Sequence, residues 1–425
     1  MISKNLLAAL ALVVLAHTAS TQTINTYSPY SRFGIGDLKN RTFMQNRAMG
    51  GVSQGIISGT AINQLNPASY TAQDTMSFIL DFGLEAGQTN YSLGSQTLSN
   101  PTMNFHHIAI QFPLTKWWGA SLGIQPFSDV GYKLRYVETN PYLLSSIGAI
   151  KYYHYGEGGL SQAYFGNAFK PVKGLSVGFN VSYFFGSLDY HSDVLFPSGS
   201  VYTSLYKVNR VVVRSLAYSV GTQYKLNFGT DDKYSMVFGF TLDNETSLKA
   251  EQIVHSSTNS RMFDTISYVS TKNTSVLLPA NYSGGFSFTY NKSLTLAFDY
   301  SSQDWTNAKF IEQTDNSLTS SNTMRFGLEY CPSPNDLKSY LKRVKYRTGF
   351  YQSNTNLNIR NTHIKDYGIT FGVGLPLRRT STSFNLAYEM GQRGTNKNGL
   401  TSETYGIVSF GVTFYDIWFV KRKYN

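Results

Sequence analysis

From Ser77 onward the chain alternates apolar and polar residues with a period of two, the signature of strands whose two faces meet different surroundings. Leu175, Val177, Phe179, Val181, Tyr183 and Phe185 share one face, opposite Ser176, Gly178, Asn180, Ser182 and Phe184. Leu294, Leu296, Phe298 and Tyr300 oppose Thr295, Ala297, Asp299 and Ser301. The same pattern returns at Ile369 to Leu375, Phe384 to Met390 and Val408 to Phe414. Strands are expected to start near Ser77, Met103, Trp117, Gly158, Leu175, Val208, Tyr234, Asn281, Leu294, Asn322, Lys342, His363, Ser381 and Glu403, about fourteen in all. Short turns such as Pro171-Val172-Lys173-Gly174 and Asn291-Lys292-Ser293 join some of them. Longer polar segments, Asp193 to Leu205 and His255 to Asn273, read as loops.

A closed sheet of about fourteen strands has a lumen too wide for side chains to fill. The apolar faces then point outward to lipid, and the small polar faces point inward to water or a plug. The predicted fold is all-β: a transmembrane antiparallel β-barrel over residues 77–416. Composition agrees. Aromatic residues make up 15% of the chain and charged residues only 14%, against about 25% charged in an ordinary soluble domain. Mean hydropathy is mildly negative, which argues against a bundle of membrane helices.

Residues 1–20 read as a secretory signal: Lys4, an apolar run from Leu6 to Ala16, then Thr18-Ala19-Ser20. That run is shorter than the ~20 residues a spanning helix needs. Residues 21–76 are rich in glycine and serine without a sustained period and read as an irregular N-terminal segment. A basic tail, Lys421-Arg422-Lys423, follows the last strand within 417–425. The net charge of +11 suits solvated loops or anionic lipid and lipopolysaccharide. No recognition helix or basic stripe points to nucleic acid.

Candidate chemistry is sparse. His106 and His107 are adjacent in a strand and so are expected on opposite faces; they form one metal site only if a bulge intervenes. No Cys or His spacing suggests zinc, Cys331 is the sole cysteine, and no nucleophile elbow is present. The reading is no enzyme, no cofactor and no metal. Asp299 and Glu389 are expected to face the lumen. Trp117, Trp118, Trp305 and Trp418 fall at strand ends, the girdle positions of a membrane interface. Pro126 lies inside the strand expected from Trp117 to Val137. A closed barrel has no edge to accommodate it, so it implies a local break or a strand that has already left the membrane by that point.

Arg47-Ala48-Met49-Gly50-Gly51, then Asn66-Pro67-Ala68, then about fourteen strands together resemble the long-chain fatty-acid transporter family of outer-membrane barrels, often called FadL-like. The resemblance implies an N-terminal hatch at 21–76 that carries the Asn66-Pro67-Ala68 motif and plugs the barrel. It also implies passive uptake of a hydrophobic ligand, released sideways into the outer membrane at a kinked third strand, where Pro126 lies. The lead-in Ala61-Ile62-Asn63-Gln64-Leu65 departs from the family, as does Ser69 where glycine is common. The alternative is a non-transporting barrel that serves as subunit or scaffold of an outer-membrane secretion or assembly complex, with membrane-complex proteins as partners.

Overall fold

The computed structural model describes residues 26–418 except 261, 263, 312, 335, 337 and 379. The expected signal segment and most of the basic tail lie outside the described residues.

Fourteen antiparallel strands close into one barrel. They are β1 (Ser77–Leu93), β2 (Gln96–Thr115), β3 (Trp118–Asp129, continued by Tyr132–Val137), β4 (Lys151–Val172) and β5 (Leu175–Leu195). Next come β6 (Leu205–Phe228), β7 (Tyr234–Asp243, continued by Thr246–Ser257), β8 (Thr265–Leu278, continued by Asn281–Tyr290) and β9 (Leu294–Asp304). The last five are β10 (Ser320–Tyr330), β11 (Lys345–Ile359), β12 (Thr362–Pro376), β13 (Ser383–Gly394) and β14 (Ser402–Ile417). Closure is made by β14 against β1, in unbroken register from Ser77 opposite Ile417 to Ser92 opposite Ser402. Every neighbour in the sequence is a neighbour in space, as hairpin connections require.

The alternation sets the two faces. On β13, Leu386, Tyr388 and Met390 are exposed while Asn385, Ala387 and Glu389 are buried. On the outer face, Phe286, Phe298 and Phe326 of β8, β9 and β10 form a ladder with ring centroids 6.0 and 4.7 Å apart. Cross-strand aromatic contacts of this kind hold register.

Three strands bend. β3 breaks at Val130 and Gly131. β7 and β8 break together at 244–245 and 279–280, where Pro279 cannot donate to a ladder. Beyond that point their far halves form a ribbon, with Ala250 to Ser257 also paired to Val213 to Tyr206 of β6. The ribbon turns Leu248, Ala250, Val276 and Leu278 into an apolar cluster with Phe184, Leu188, Val211, Trp305 and Ile364. This corrects two expectations. The segment from His255 to Asn273 is largely paired strand rather than loop, because backbone pairing with its own hairpin mate needs no apolar face. Trp305 is only 2% exposed within that cluster and so is not a girdle residue.

Candidate functional site

The N-terminal segment runs along the inward face of the wall. A short helix, Met44–Arg47, buries Met44, Asn46 and Arg47. Its chain then reverses at Gly50 and Gly51, both at positive φ, a conformation that costs glycine little. The Gly50 N–H donates to Thr370 Oγ1 at 2.8 Å. The N–H groups of Ser53 and Gln54 both donate to Asp299 Oδ2, at 2.5 and 2.9 Å. Asp299 thus faces inward and satisfies two backbone donors that have no strand to join.

Wall glycines mark the line of closest approach. A Cβ on Gly349 would collide with the backbone of Met49 and Gly50. One on Gly239 would meet the Gln54 carbonyl, and one on Gly178 would meet Pro67. The small residues of the inward face are therefore where another backbone lies against the sheet.

Asn66-Pro67-Ala68 opens the 3-10 helix Pro67–Ala72. The Asn66 Oδ1 accepts from the Ala68 N–H at 3.2 Å, capping the helix. Its Nδ2 donates to the Gln54 and Thr222 carbonyls at 3.0 and 3.2 Å. One side chain thus ties the motif, an earlier turn of the same segment and β6 together. Tyr70 extends the attachment, donating to Asn180 Oδ1 on β5 at 2.9 Å.

Charge supplies the strongest anchor. Arg47 donates through Nη1 to Glu85 of β1 at 2.5 Å and through Nε to Glu389 of β13 at 2.8 Å. Tyr351 donates to the other Glu389 oxygen at 2.7 Å and also meets the Tyr405 hydroxyl. Nearby, Arg393 pairs with Asp37 at 2.6 Å and approaches Glu403 at 4.0 Å. Lys39 pairs with Asp129 at 2.8 Å. Burial opposes the Lys39 charge, but Asp129, Glu85 and Asp37 outweigh it and hold the ammonium above its ordinary pKa.

The histidine expectation is corrected. Gly83 pairs with His107 and Leu84 with Phe105, which leaves His106 unopposed in a bulge. Both rings therefore turn inward. Their Nδ1 atoms lie 2.8 Å apart, the other His107 nitrogen is 2.8 Å from Asp81, and the other His106 nitrogen is 3.0 Å from the Asn40 carbonyl. Phe43 stacks on His107 with centroids 3.7 Å apart. With its nitrogens engaged in this way, the pair reads as a link between the wall and the N-terminal segment. Elsewhere, Glu157, Asp189 and His191 bring ligand atoms within 4.8 Å of one another, but Arg210 already grips Asp189 at 2.6 to 3.0 Å.

An opening lies between β2 and β3. The two strands pair only from Ile108 opposite Ile124 to Thr115 opposite Trp118. Beyond Ile124, β3 turns to the N-terminal segment instead, with Ser128 and Asp129 opposite Leu38 and Asp37. Pro126 stands at this departure, and a register shift against β4 follows it. The space left holds a cavity of about 740 Å³, whose lining includes Met103, Phe105, His106, Pro126, Arg47 and Glu85. Met103 and Phe105 are also exposed on the outer face. Of the remaining tryptophans, Trp117 and Trp418 are exposed. Trp118 is half-buried and donates to Asn167 at 2.9 Å.

The sequence is matched over residues 1–425 by the family model BamG. The chain belongs to the BamG family. No curated protein sequence matches it. Among solved structures, the BamG-family chain is similar to the Pseudomonas putida toluene transporter TodX, at 16% identity and a TM-score of 0.58 over 90% of this chain and 100% of that one. It is also similar to a Pseudomonas aeruginosa FadL homologue, at 13% identity and a TM-score of 0.60 over 90% and 100%. The Ralstonia pickettii toluene transporter TbuX follows, at 14% and 0.56 over 88% and 98%. These likenesses show that the fold is the closed β-barrel of these transporters and of the FadL homologue.

Sequence reasoning singled out Asn66, Pro67, Ala68 and Pro126, and the structure places the motif and Pro126 at separate points of the same inner surface. It missed the roles of Arg47, Glu85 and Tyr351. A signal existed: Arg47 beside Gly50 and Gly51 in the Gly-rich segment, and acids at Glu85 and Glu389 on the polar faces of two strands.

Proposed function

We propose that this barrel gives hydrophobic compounds a passive route across the outer membrane, with fatty-acid-like molecules as the substrate class. Residues 21–76 act as a hatch, and the opening between β2 and β3 at Pro126 is the lateral exit. That opening carries the reading: it joins a large internal cavity to outward-facing Met103 and Phe105. The similarity in fold to the toluene transporters TbuX and TodX supports it. Partners in this reading are a hydrophobic ligand, outer-membrane lipid and lipopolysaccharide. The test is uptake of a labelled long-chain fatty acid and of toluene by cells carrying Pro126→Val. Pairing restored across β2 and β3 would lower uptake; unchanged uptake would remove the exit from consideration.

A second reading is favoured by a specific observation. The cavity is lined with charge, including Arg47, Glu85, Asp129, Glu389, Arg393 and Glu403, whereas pockets for apolar ligands are mostly apolar. A barrel held shut in this way suits a non-transporting subunit or scaffold of an outer-membrane secretion or assembly complex. Purification in mild detergent separates the two. Bound lipid in the barrel supports conduction, and stoichiometric protein partners support the scaffold.

A further inference from the structure

Asp299 of β9 and Arg325 of β10 lie directly opposite one another in the ladder. Both side chains therefore leave the same, inward face, with Cβ atoms about 5 Å apart. Opposite charges at that spacing ordinarily attract into a cross-strand pair. Here they do not. Arg325 donates through Nη1 to Ser301 Oγ at 3.2 Å and makes no ion pair among the described residues.

The N-terminal segment keeps them apart from both sides. Asp299 leans away from Arg325, over β8: a Cβ on Gly285, its neighbour there, would fall on Asp299 Oδ1. In that position Oδ2 accepts from the Ser53 and Gln54 N–H groups. Oδ1 is buried and has no hydrogen-bond partner among the described residues. Three residues earlier, a Cβ on Gly51 would come within 3.4 Å of Arg325 Cδ and Nε. Residues 51–54 thus hold the acid on one side and abut the base on the other.

Withdrawal of residues 51–54 removes both constraints at once. It strips two N–H donors from a buried carboxylate, which is costly when nothing replaces them. It also uncovers the stem of Arg325, which borders a cavity of about 340 Å³ with Ser301, Thr323 and Ser353 and so has room to turn. We infer that Arg325 is the second partner of Asp299. The carboxylate exchanges the Ser53 and Gln54 N–H groups for the guanidinium when the segment withdraws, and reverses the exchange when it returns. This rests on the reading of residues 21–76 as a hatch and describes how the wall stabilises its released state. Arg47 works in the opposite sense: it belongs to the segment, and its departure leaves Glu85 and Glu389 without it.

The sign of the effect separates this role from a structural one. Loss of an ordinary contact speeds local opening, whereas loss of a partner used only after release slows it. Amide exchange is read by mass spectrometry on the full-length barrel in detergent, over peptides covering 51–56. Folding of each variant is checked by heat-modifiable migration in gels. Arg325→Met is expected to slow exchange there by roughly fivefold or more. In an Asp299→Asn background the same substitution is expected to change nothing, because the charge to be received is gone. Gly285→Ala pushes the carboxylate off β8 toward Arg325 and is expected to speed exchange. Unchanged or faster exchange in folded Arg325→Met overturns the inference, as does equal slowing in the Asp299→Asn background. Either result leaves the hatch reading standing while residues 51–56 open ahead of β5 and β6. Opening of 51–56 only together with β5 and β6 overturns both. Should Arg325→Met not fold, Gly285→Ala decides, and unchanged exchange in it overturns the inference.

Discussion

Arg47 is the group whose removal should say most about how the N-terminal segment is held. Its guanidinium touches carboxylates on two strands that flank the barrel's closing strand: Glu85 at 2.5 Å on β1 and Glu389 at 2.8 Å on β13. The side chains of Arg47, Glu85 and Glu389 are 4%, 12% and 7% exposed, so most of their surface is against protein and water replaces the lost partner only in part. Arg47→Ala leaves two buried carboxylates facing one another across the space it occupied. Breaking a buried pair by removing one member costs about 3–5 kcal/mol. Glu389 keeps the Tyr351 hydroxyl, which places the expected cost toward about 3 kcal/mol. That corresponds to roughly a hundredfold rise in the population with the segment released. Hydrogen exchange read by mass spectrometry on peptides covering residues 44–55 should show this acceleration, while peptides from β5 and β6 stay protected. Arg47→Lys keeps the charge but loses the fork that reaches both acids, so it should fall between. Exchange within threefold of wild type in Arg47→Ala would refute the claim that this charge triad holds the segment.

Other consequences follow from the same geometry. In Gly239→Val the new side chain would occupy the place of the Gln54 carbonyl; residues 53–56 should exchange faster with the barrel's gel migration unchanged, and unaltered exchange there would contradict the close packing. Asn66→Ala removes a helix cap and two donated hydrogen bonds; a loss of about 2 kcal/mol in local protection over residues 66–72 is expected, and full protection would show that the motif is held by packing alone. In single-tryptophan variants, brominated lipid should quench Trp117 and Trp418 but not Trp305, which is buried inside the far end. Quenching of Trp305 would mean the apolar cluster faces lipid after all.

The wall was legible in the sequence because a strand between lipid and a polar lumen must alternate, and no competing pattern survives over so many segments. What alternation cannot reveal is an inserted residue. His106 and His107 lie next to one another, and strict pleating sends them to opposite faces. One unopposed residue in β2 brings both inward, where they connect Asp81 to the backbone at Asn40. The ribbon was missed for a different reason: from Thr265 to Asn273 every residue is exposed on both faces, so that stretch carries no periodic signal and reads as loop. Glycine was visible on the inward faces at Gly178, Gly372 and Gly411 without its cause. The cause is the N-terminal segment, whose Pro67, Ala48 and Met44 lie where those side chains would have been.

The same contacts limit what can move through the barrel. Near Arg47 the inner surface presents Glu85, Glu389, Asp366, Asp37 and Glu403 against the guanidinium groups of Arg47 and Arg393, with tyrosine hydroxyls completing their hydrogen bonds. An apolar molecule placed among them would strip partners from several buried ions and gain no hydrogen bond in return, which is unfavourable whatever area it buries. A hydrophobic route consistent with this interior must keep to the side where β2 leaves β3, along Met103 and Phe105, and away from the charged centre. A polar route would need the Arg47 triad opened first. Conduction of hydrophobic compounds and a fixed N-terminal segment are therefore compatible only at that lateral opening, which makes Pro126 and Arg47 separate tests: substitution at Pro126 probes the exit with the segment in place, and substitution at Arg47 frees the segment with the exit in place.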